Sequence, residues 1–267
     1  MGQLDEGMGA PHIWPKKFLE VIFMVEPRYQ TPAGAGTQVQ IDQGLRSYML
    51  KVYNYMGAGL AITGAAAFGT FHAAVDASGA LTPFGQTIFV SPLKWVLILA
   101  PLAMVFLLSF RIHKMSVSAA QLTFWAYAAL VGVSFASLGL IYTTGSIAQV
   151  FFITAGTFGA LSLYGYTTKR DLAAFGSFLF MGLIGIIIAS LVNLYFQNSM
   201  FDLVLSAIGV LVFTGLTAWD TQQIKEMYYE ADDVAVMGRK AIMGALRLYL
   251  DFINLFLSLL RLFGNRN

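Results

Sequence analysis

The chain has 267 residues, of which 57% are hydrophobic and only 11% are charged. Ordinary soluble domains carry roughly 25% charged residues, so this composition excludes a water-soluble globule. The formal net charge of +2 is too small for the basic surface that nucleic acid requires, and we expect no nucleic-acid partner. The absence of cysteine excludes disulfides, thiolate metal sites and thiol nucleophiles.

The first fifty residues differ in composition from the rest of the chain. They contain four prolines and the small-residue run 31–37. An apolar patch at 18–25 is interrupted by Glu20 and is too short for a secretory signal peptide. We therefore predict that residues 1–49 form a mobile cytoplasmic tail and that residues 50–267 form a transmembrane domain.

Long apolar segments follow this tail. A helix needs about 20 apolar residues to cross the hydrocarbon core of a membrane, and six segments meet this condition directly. A seventh is conditional because it contains Arg247, Asp251 and Arg261, and it either spans fully or re-enters the side from which it came. The sequence thus predicts an all-α integral membrane protein with seven transmembrane helices, at 52–75, 95–110, 122–141, 147–166, 175–195, 203–219 and 241–263.

The positions of lysine and arginine indicate the orientation. If the amino terminus is cytoplasmic, twelve of the sixteen Lys and Arg lie on the cytoplasmic side, which is the distribution that membrane insertion favours. The connections on the other side then hold only Lys94. Arg261 and Arg266, at the far end of the last segment, fit this distribution poorly.

Two aspartates, Asp220 and Asp251, lie in or against the last two apolar segments. A charged side chain inside a membrane costs at least ~2.5 kcal/mol and normally faces the bundle interior or a water-filled cavity. Polar residues form a stripe on the same helix as each aspartate: Thr214, Thr217 and Thr221 near Asp220, and Arg247, Asn254 and Ser258 near Asp251. Two such stripes on consecutive segments favour an aqueous or ion-binding seam between them. The alternative is purely structural, with Asp251 paired to Arg247 four residues earlier.

The depths of the two aspartates allow them to meet. Each lies about 8–15 Å from the predicted cytoplasmic side, and helix tilt can absorb the difference. Ionising two adjacent carboxylates costs free energy because their charges repel each other, so such a pair would share a proton. Its charge would then change near physiological pH.

Two motifs around these aspartates resemble those of the Bax inhibitor-1 family, also called transmembrane Bax inhibitor motif proteins, and in particular its bacterial branch. The first is Thr-Ala-Trp-Asp-Thr-Gln-Gln-Ile-Lys at 217–225. The second is Leu-Tyr-Leu-Asp-Phe-Ile-Asn-Leu-Phe at 248–256, followed by Leu-Leu-Arg-Leu at 259–262. The similar architecture covers about 45–264.

The resemblance implies seven helices, with the seventh central and surrounded by the other six, and a pH-sensitive calcium leak. It assigns Asp220 and Asp251 as the proton sensor and gate, which also meet the calcium ion, and an arginine latch for which Arg111 is the nearest match and His113 or Lys114 the alternatives. The polar stripes add Thr217, Arg247 and Asn254 as residues that would line the pore or support the pair. Arg247 departs from the family pattern, because a cation one turn from Asp251 would hold that aspartate ionised and weaken proton sharing. Calcium would be the transported ion, with no permanently bound cofactor and no catalytic residue.

Two other functions fit parts of this sequence. Bacterial members of the family are also associated with a membrane-bound ATP-dependent protease that they restrain, and the amino tail and the acidic connection 226–233 would then be docking surfaces. Intramembrane aspartyl proteases place aspartates on two consecutive helices, but the glycines of their second motif are missing before Asp251, and we predict no enzymatic activity. Without a lysine-rich carboxyl tail, a bacterial inner membrane is the expected location.

Overall fold

The computed structural model describes residues 35–267, with side-chain environments from residue 43 onward. Within this range the chain is built from helices, which confirms the predicted all-α class. The helices are α1 (Ala35–Ala74), α2 (Pro83–Phe89), α3 (Leu93–Arg111), α4 (Val117–Phe135), α5 (Leu138–Ile141), α6 (Thr144–Thr167), α7 (Ala173–Phe196), α8 (Ser199–Glu226) and α9 (Val234–Phe263), with a 3-10 turn at Ile112–Lys114.

Six helical segments of the described region are long and apolar enough to cross a membrane. They are Leu93–Lys114, Val117–Ile141, Thr144–Thr167, Ala173–Phe196, Ser199–Glu226 and Val234–Phe263. The remaining predicted span, 52–75, lies in the second half of α1, where glycine and alanine predominate and contribute little hydropathy. The membrane class is thus confirmed, whereas the count of seven is not.

The predicted tail falls mostly outside the described residues. Residues 1–34 are not described, and the predicted boundary between 49 and 50 lies within α1. Tyr48 and Met49, which precede this boundary, are buried in the hydrophobic core. Residues 41–267 pack as one compact unit.

Polar side chains fix where the helices begin. Ser116, Thr143 and Asn198 each precede a helix and accept a hydrogen bond from a backbone N–H of its first turn. Such N-caps satisfy donors that have no partner within the helix. The turn from α7 to α8 is short because Gln197 adopts the left-handed conformation, with a φ of 50°.

The last helix, α9, runs from one end of the bundle to the other. Near its start, Lys240 Nζ donates to the carbonyl oxygen of Met227 at 2.9 Å. Beyond its end, the backbone N–H of Thr143 donates to the carbonyl oxygen of Asn265 at 3.0 Å. Thr143 precedes α6, whose opposite end is tied to α8 by a bond from Lys225 Nζ to Tyr166. The two ends of α9 thus lie at opposite ends of α6, which favours a full span over the re-entrant alternative.

Burial and close backbone contact hold α9 and its neighbours together. Of the most apolar stretch of α9, 67% is buried, against 39% or less for the five other candidate spans. Glycine permits the closest approach between α6 and α8, where a Cβ added at Gly165 would lie 2.1 Å from the carbonyl oxygen of Ala218. Dispersion contacts of this kind stabilise helix pairs in lipid, where no hydrophobic force brings helices together.

Candidate functional site: an aspartate pair between the last two helices

The site is formed where α8 passes α9. Asp220, on α8, and Asp251, on α9, face each other across this interface, and their carboxyl groups interact directly. Asp251 is only 5% exposed, and the side chain of Asp220 is 14% exposed. The structure thus brings together the two aspartates that the sequence singled out.

One cation compensates this pair. The Nη1 atom of Arg247 lies 3.8 Å from Oδ1 of Asp220, and its charge also acts on Asp251. The sequence alternative placed Arg247 beside Asp251 on the same helix. Long side chains on a helix lean toward its amino terminus, which directs Arg247 away from Asp251 and toward α8. The arginine side chain is 44% exposed, so the bundle does not enclose the site completely on this side.

One carboxylate oxygen of the pair has no hydrogen-bond partner. Within the described residues, Oδ2 of Asp251 is buried and accepts no hydrogen bond. A buried polar atom without a partner costs free energy, so this oxygen is a favourable position for a proton, a water molecule or a cation.

A chain of hydroxyl groups ends beside Asp220. Thr221 Oγ1 donates to the carbonyl oxygen of Thr217 at 2.7 Å and lies 2.9 Å from Ser162 Oγ, which lies 2.6 Å from the hydroxyl of Tyr53. Because each hydroxyl has one proton, Ser162 must donate to Thr221 and Tyr53 to Ser162. The chain joins α1, α6 and α8. Sequence reasoning did not find Tyr53 or Ser162, which carry no signal apart from being polar residues in apolar helices.

The remaining pore-lining candidates satisfy their hydrogen bonds within their own helices. Thr217 Oγ1 donates to the carbonyl oxygen of Phe213, and Asn254 Nδ2 donates to that of Leu250. Neither side chain makes a hydrogen bond to Asp220 or Asp251 in the part of the chain that the structure describes. Their predicted role at the pore stays a prediction.

The structure does not bring the predicted latch to the aspartates. Arg111 is the last residue of α3 and is exposed, as are the alternatives His113 and Lys114. Among the described residues, the cation that forms an ion pair with Asp220 is Arg247, and Arg111 forms none. The latch role of Arg111 therefore also stays a prediction.

The polar contacts of one side chain fix α8 next to the site and were not predicted. The side chain of Gln222 accepts from the backbone N–H of Leu172 at 2.9 Å and donates to the carbonyl oxygen of Arg170 at 2.8 Å. These bonds tie α8 to the connection between α6 and α7. Gln222 lies in the 217–225 motif, so the motif itself was the available signal.

A second buried contact fixes the rotation of α9. The hydroxyl of Tyr249, two residues before Asp251, lies 2.7 Å from Oγ1 of Thr63 on α1. The ring of Tyr249 is fully buried and meets the edges of Phe124 and Tyr127 on α4. This aromatic cluster, which sequence reasoning missed, holds Asp251 toward α8.

The site contains two acidic groups. Across residues 35–267, no three His, Asp or Glu side chains converge in a way that could hold a metal ion. Calcium sites that retain their ion usually supply six to eight oxygen ligands. Asp220 and Asp251 by themselves supply fewer oxygen ligands than such a site.

These features define an α-helical membrane protein with a buried, partly compensated carboxyl pair. The family model described as "Inhibitor of apoptosis-promoting Bax1" matches residues 45–267. The chain belongs to this family, the Bax inhibitor-1 family, which confirms the resemblance found in the sequence.

Relatives match most of the chain. A protein of Rickettsia prowazekii described as uncharacterized is 49% identical over 225 residues, which are 84% of this chain and 92% of the relative. The inner membrane protein YbhL of Escherichia coli is 48% identical over 230 residues, which are 85% of this chain and 95% of the relative. An uncharacterized protein of Caulobacter vibrioides is 42% identical over 228 residues, with coverages of 85% and 91%.

Proposed function

We propose that this protein is a pH-sensitive calcium leak pathway, gated by protonation of Asp220 and Asp251. The observation that carries the proposal is the direct approach of these two carboxyl groups from consecutive membrane helices. In its closed state the pair shares a proton. Loss of that proton leaves two like charges with Arg247 as their nearby cation, which favours separation of α8 and α9 or the entry of a cation.

Calcium is the cargo that suits this site best. Ca²⁺ prefers oxygen ligands and tolerates irregular coordination, and the pair supplies carboxylate oxygens. One of these oxygens has no hydrogen-bond partner among the described residues. The ion is transported rather than stored, and no permanently bound cofactor is required. We propose that the protein is not an enzyme.

The proposal includes an arrangement in the membrane. The 52–75 part of α1 serves as the first of seven spans, and α9 is the central span that the other six surround, which its high burial supports. The protein lies in the bacterial inner membrane, in line with the description of its relative YbhL. The lysine and arginine distribution supports a cytoplasmic amino terminus.

The test is calcium flux into proteoliposomes across a pH series. The wild-type protein is expected to pass calcium with a pH-dependent rate, and Asp220→Asn and Asp251→Asn should each lose most of that dependence because the titrating pair is removed. Asp233→Asn is the matched control, since this exposed acid before α9 makes no side-chain cap bond. If both single variants keep the pH dependence of the wild type, the pair is not the pH sensor.

The second candidate is a non-enzymatic regulator that binds and restrains a membrane-bound ATP-dependent protease. It is favoured by exposed acidic residues in the connection between α8 and α9, Glu230 and Asp233. A wild-type protein without calcium flux at any pH, combined with faster protease turnover in membranes that lack it, would select this function over the leak.

A further inference from the structure

The end of the bundle opposite the aspartate pair contains a cavity of about 290 Å³. It lies where the carboxyl end of α9, the start of α8 and the connection before α6 meet. Two arginines line it, Arg261 of α9 and Arg266 just beyond that helix. Its other polar lining residues are Tyr142, Ser199 and Asp202.

The positive charge in this cavity is only partly balanced. Within the described residues, neither Arg261 nor Arg266 forms an ion pair with an acidic side chain. Asp202, the acid in the lining, already accepts a hydrogen bond from Asn193 Nδ2 at 2.7 Å through its Oδ1. Two guanidinium groups therefore face one carboxylate, of which one oxygen already accepts a hydrogen bond from Asn193.

The fold holds one of these arginines in place. The guanidinium carbon of Arg266 lies 6.0 Å from the ring centroid of Tyr142, and the two residues form a backbone bridge. The neighbouring Asn265 donates its backbone N–H to Oγ of Ser146 at 2.8 Å. A guanidinium fixed in this way loses little conformational entropy when it binds an oxyanion.

Ordinary structural roles explain only part of this arrangement. Arg261, in the last turn of α9, complements the negative end of that helix. That role does not require a second arginine at the same cavity. Most lysines and arginines of the chain also belong to the opposite side by sequence, so two arginines here oppose the general distribution.

We propose that this cavity binds a phosphate-class oxyanion, either the headgroup of an anionic membrane lipid or free inorganic phosphate. Guanidinium groups donate paired hydrogen bonds to phosphate oxygens, and the combination of two arginines with Ser199 suits a singly or doubly charged tetrahedral group. The volume accommodates a phosphate with its glycerol. The location at one end of the apolar helices is the depth of lipid headgroups.

The test is ligand binding by the full-length protein in a neutral detergent without phosphate. Native mass spectrometry with phosphatidylglycerol or phosphatidylcholine, and calorimetry with inorganic phosphate, separate the two sources. We expect Arg261→Gln and Arg266→Gln to weaken binding of the preferred probe at least tenfold. Lys94→Gln, which removes an exposed cation predicted to lie on the same side, should bind like the wild type.

A second variant guards against loss of folding in the arginine variants. Ser199→Glu places a carboxylate at the cavity without removing either guanidinium, and an acid at this exposed first position of α8 suits the helix. It should also abolish binding. Preference for phosphatidylglycerol identifies a lipid site, and binding of phosphate alone identifies a free-anion site. Absence of both in the wild type, or equal binding in all variants, overturns the proposal.

Discussion

Arg247 on α9 lies 3.8 Å from Asp220 on α8 and forms its ion pair across the helix interface rather than along its own helix. Because Asp251 faces the same aspartate, one cation serves two carboxyl groups. The three side chains carry a net charge of −1 when both acids are ionised and are neutral when the pair holds one proton. Under the proposed gating, the shared proton would therefore leave the three side chains neutral, which a region of low dielectric constant favours.

Replacing this cation is expected to shift the pH response of calcium flux. Without Arg247 the proton-bound pair becomes more favourable, so Arg247→Gln should move the flux midpoint to higher pH. The arginine is nearly half exposed, and such pairs contribute about 0–1 kcal/mol. At 1.36 kcal/mol per pH unit this corresponds to a shift of at most about 0.7 units.

The matched control for this measurement is Arg239→Gln, a half-buried arginine two turns earlier on α9 that forms no ion pair within the described residues. It should leave the midpoint unchanged. A midpoint that moves to lower pH in Arg247→Gln would contradict the assigned geometry. An unchanged midpoint with altered conductance would assign Arg247 to the permeation path instead.

The hydroxyl chain beside Asp220 gives a prediction about stability. Ser162→Ala removes the link between Tyr53 and Thr221 and leaves the tyrosine hydroxyl without its acceptor. Loss of a buried partner costs about 1–3 kcal/mol, and we expect the free energy of unfolding to fall by this amount. Thermal unfolding in detergent measures it. Ser177→Ala, which removes an exposed hydroxyl bonded only within α7, should be nearly neutral, and equal behaviour of the two variants would refute the role of the chain.

The contact between α6 and α8 gives a second stability prediction. In Gly165→Ala the new methyl group would lie 2.1 Å from the backbone oxygen of Ala218, which cannot move without shifting α8. We expect the free energy of unfolding to fall by about 1–3 kcal/mol. Gly159→Ala on the same helix points into open space and should stabilise by about 0.5–1 kcal/mol through helix propensity. Unfolding midpoints that change alike in both variants would contradict the close approach.

Hydrophobicity accounts for what the sequence could predict about the fold. The membrane class and most helix positions follow from long uncharged segments. A segment that crosses lipid must form its backbone hydrogen bonds within itself, so it must be a helix. The helix limits were less accurate. Helix α9 begins at Val234 rather than near residue 241, because Arg239 and Lys240 interrupt its apolar sequence. Helix α1 begins at Ala35, because its polar first turns carry no signal in a search for apolar segments.

The site was predictable only in part. The approach of Asp220 and Asp251 could be anticipated from their similar depths on consecutive helices. The ion-pair partner of Arg247 could not be anticipated, because it depends on how α8 and α9 are rotated about their axes relative to each other. The bond between Tyr53 and Ser162 joins residues 109 positions apart, and the approach of α1 to α6 that creates it has no counterpart in local sequence.

The orientation of the bundle gives the last prediction. The connection between α1 and α2 lies at the same end as the start of α6, because Gly139, just before α6, packs against the ring of Phe71 near the end of α1. The connection between α8 and α9 lies at the other end, where Lys225 bonds to Tyr166 at the end of α6. Lysine and arginine predominate at this second end, which should therefore be cytoplasmic.

Single cysteines in this naturally cysteine-free chain can measure the orientation with a membrane-impermeant maleimide. Ala77→Cys and Gly145→Cys, both at exposed positions, should be labelled from the periplasmic side of intact cells. Ala231→Cys, exposed in the connection between α8 and α9, should be labelled only after the inner membrane is opened. Labelling of position 231 in intact cells, with positions 77 and 145 protected, would invert the assignment and would place the aspartate pair nearer the periplasm.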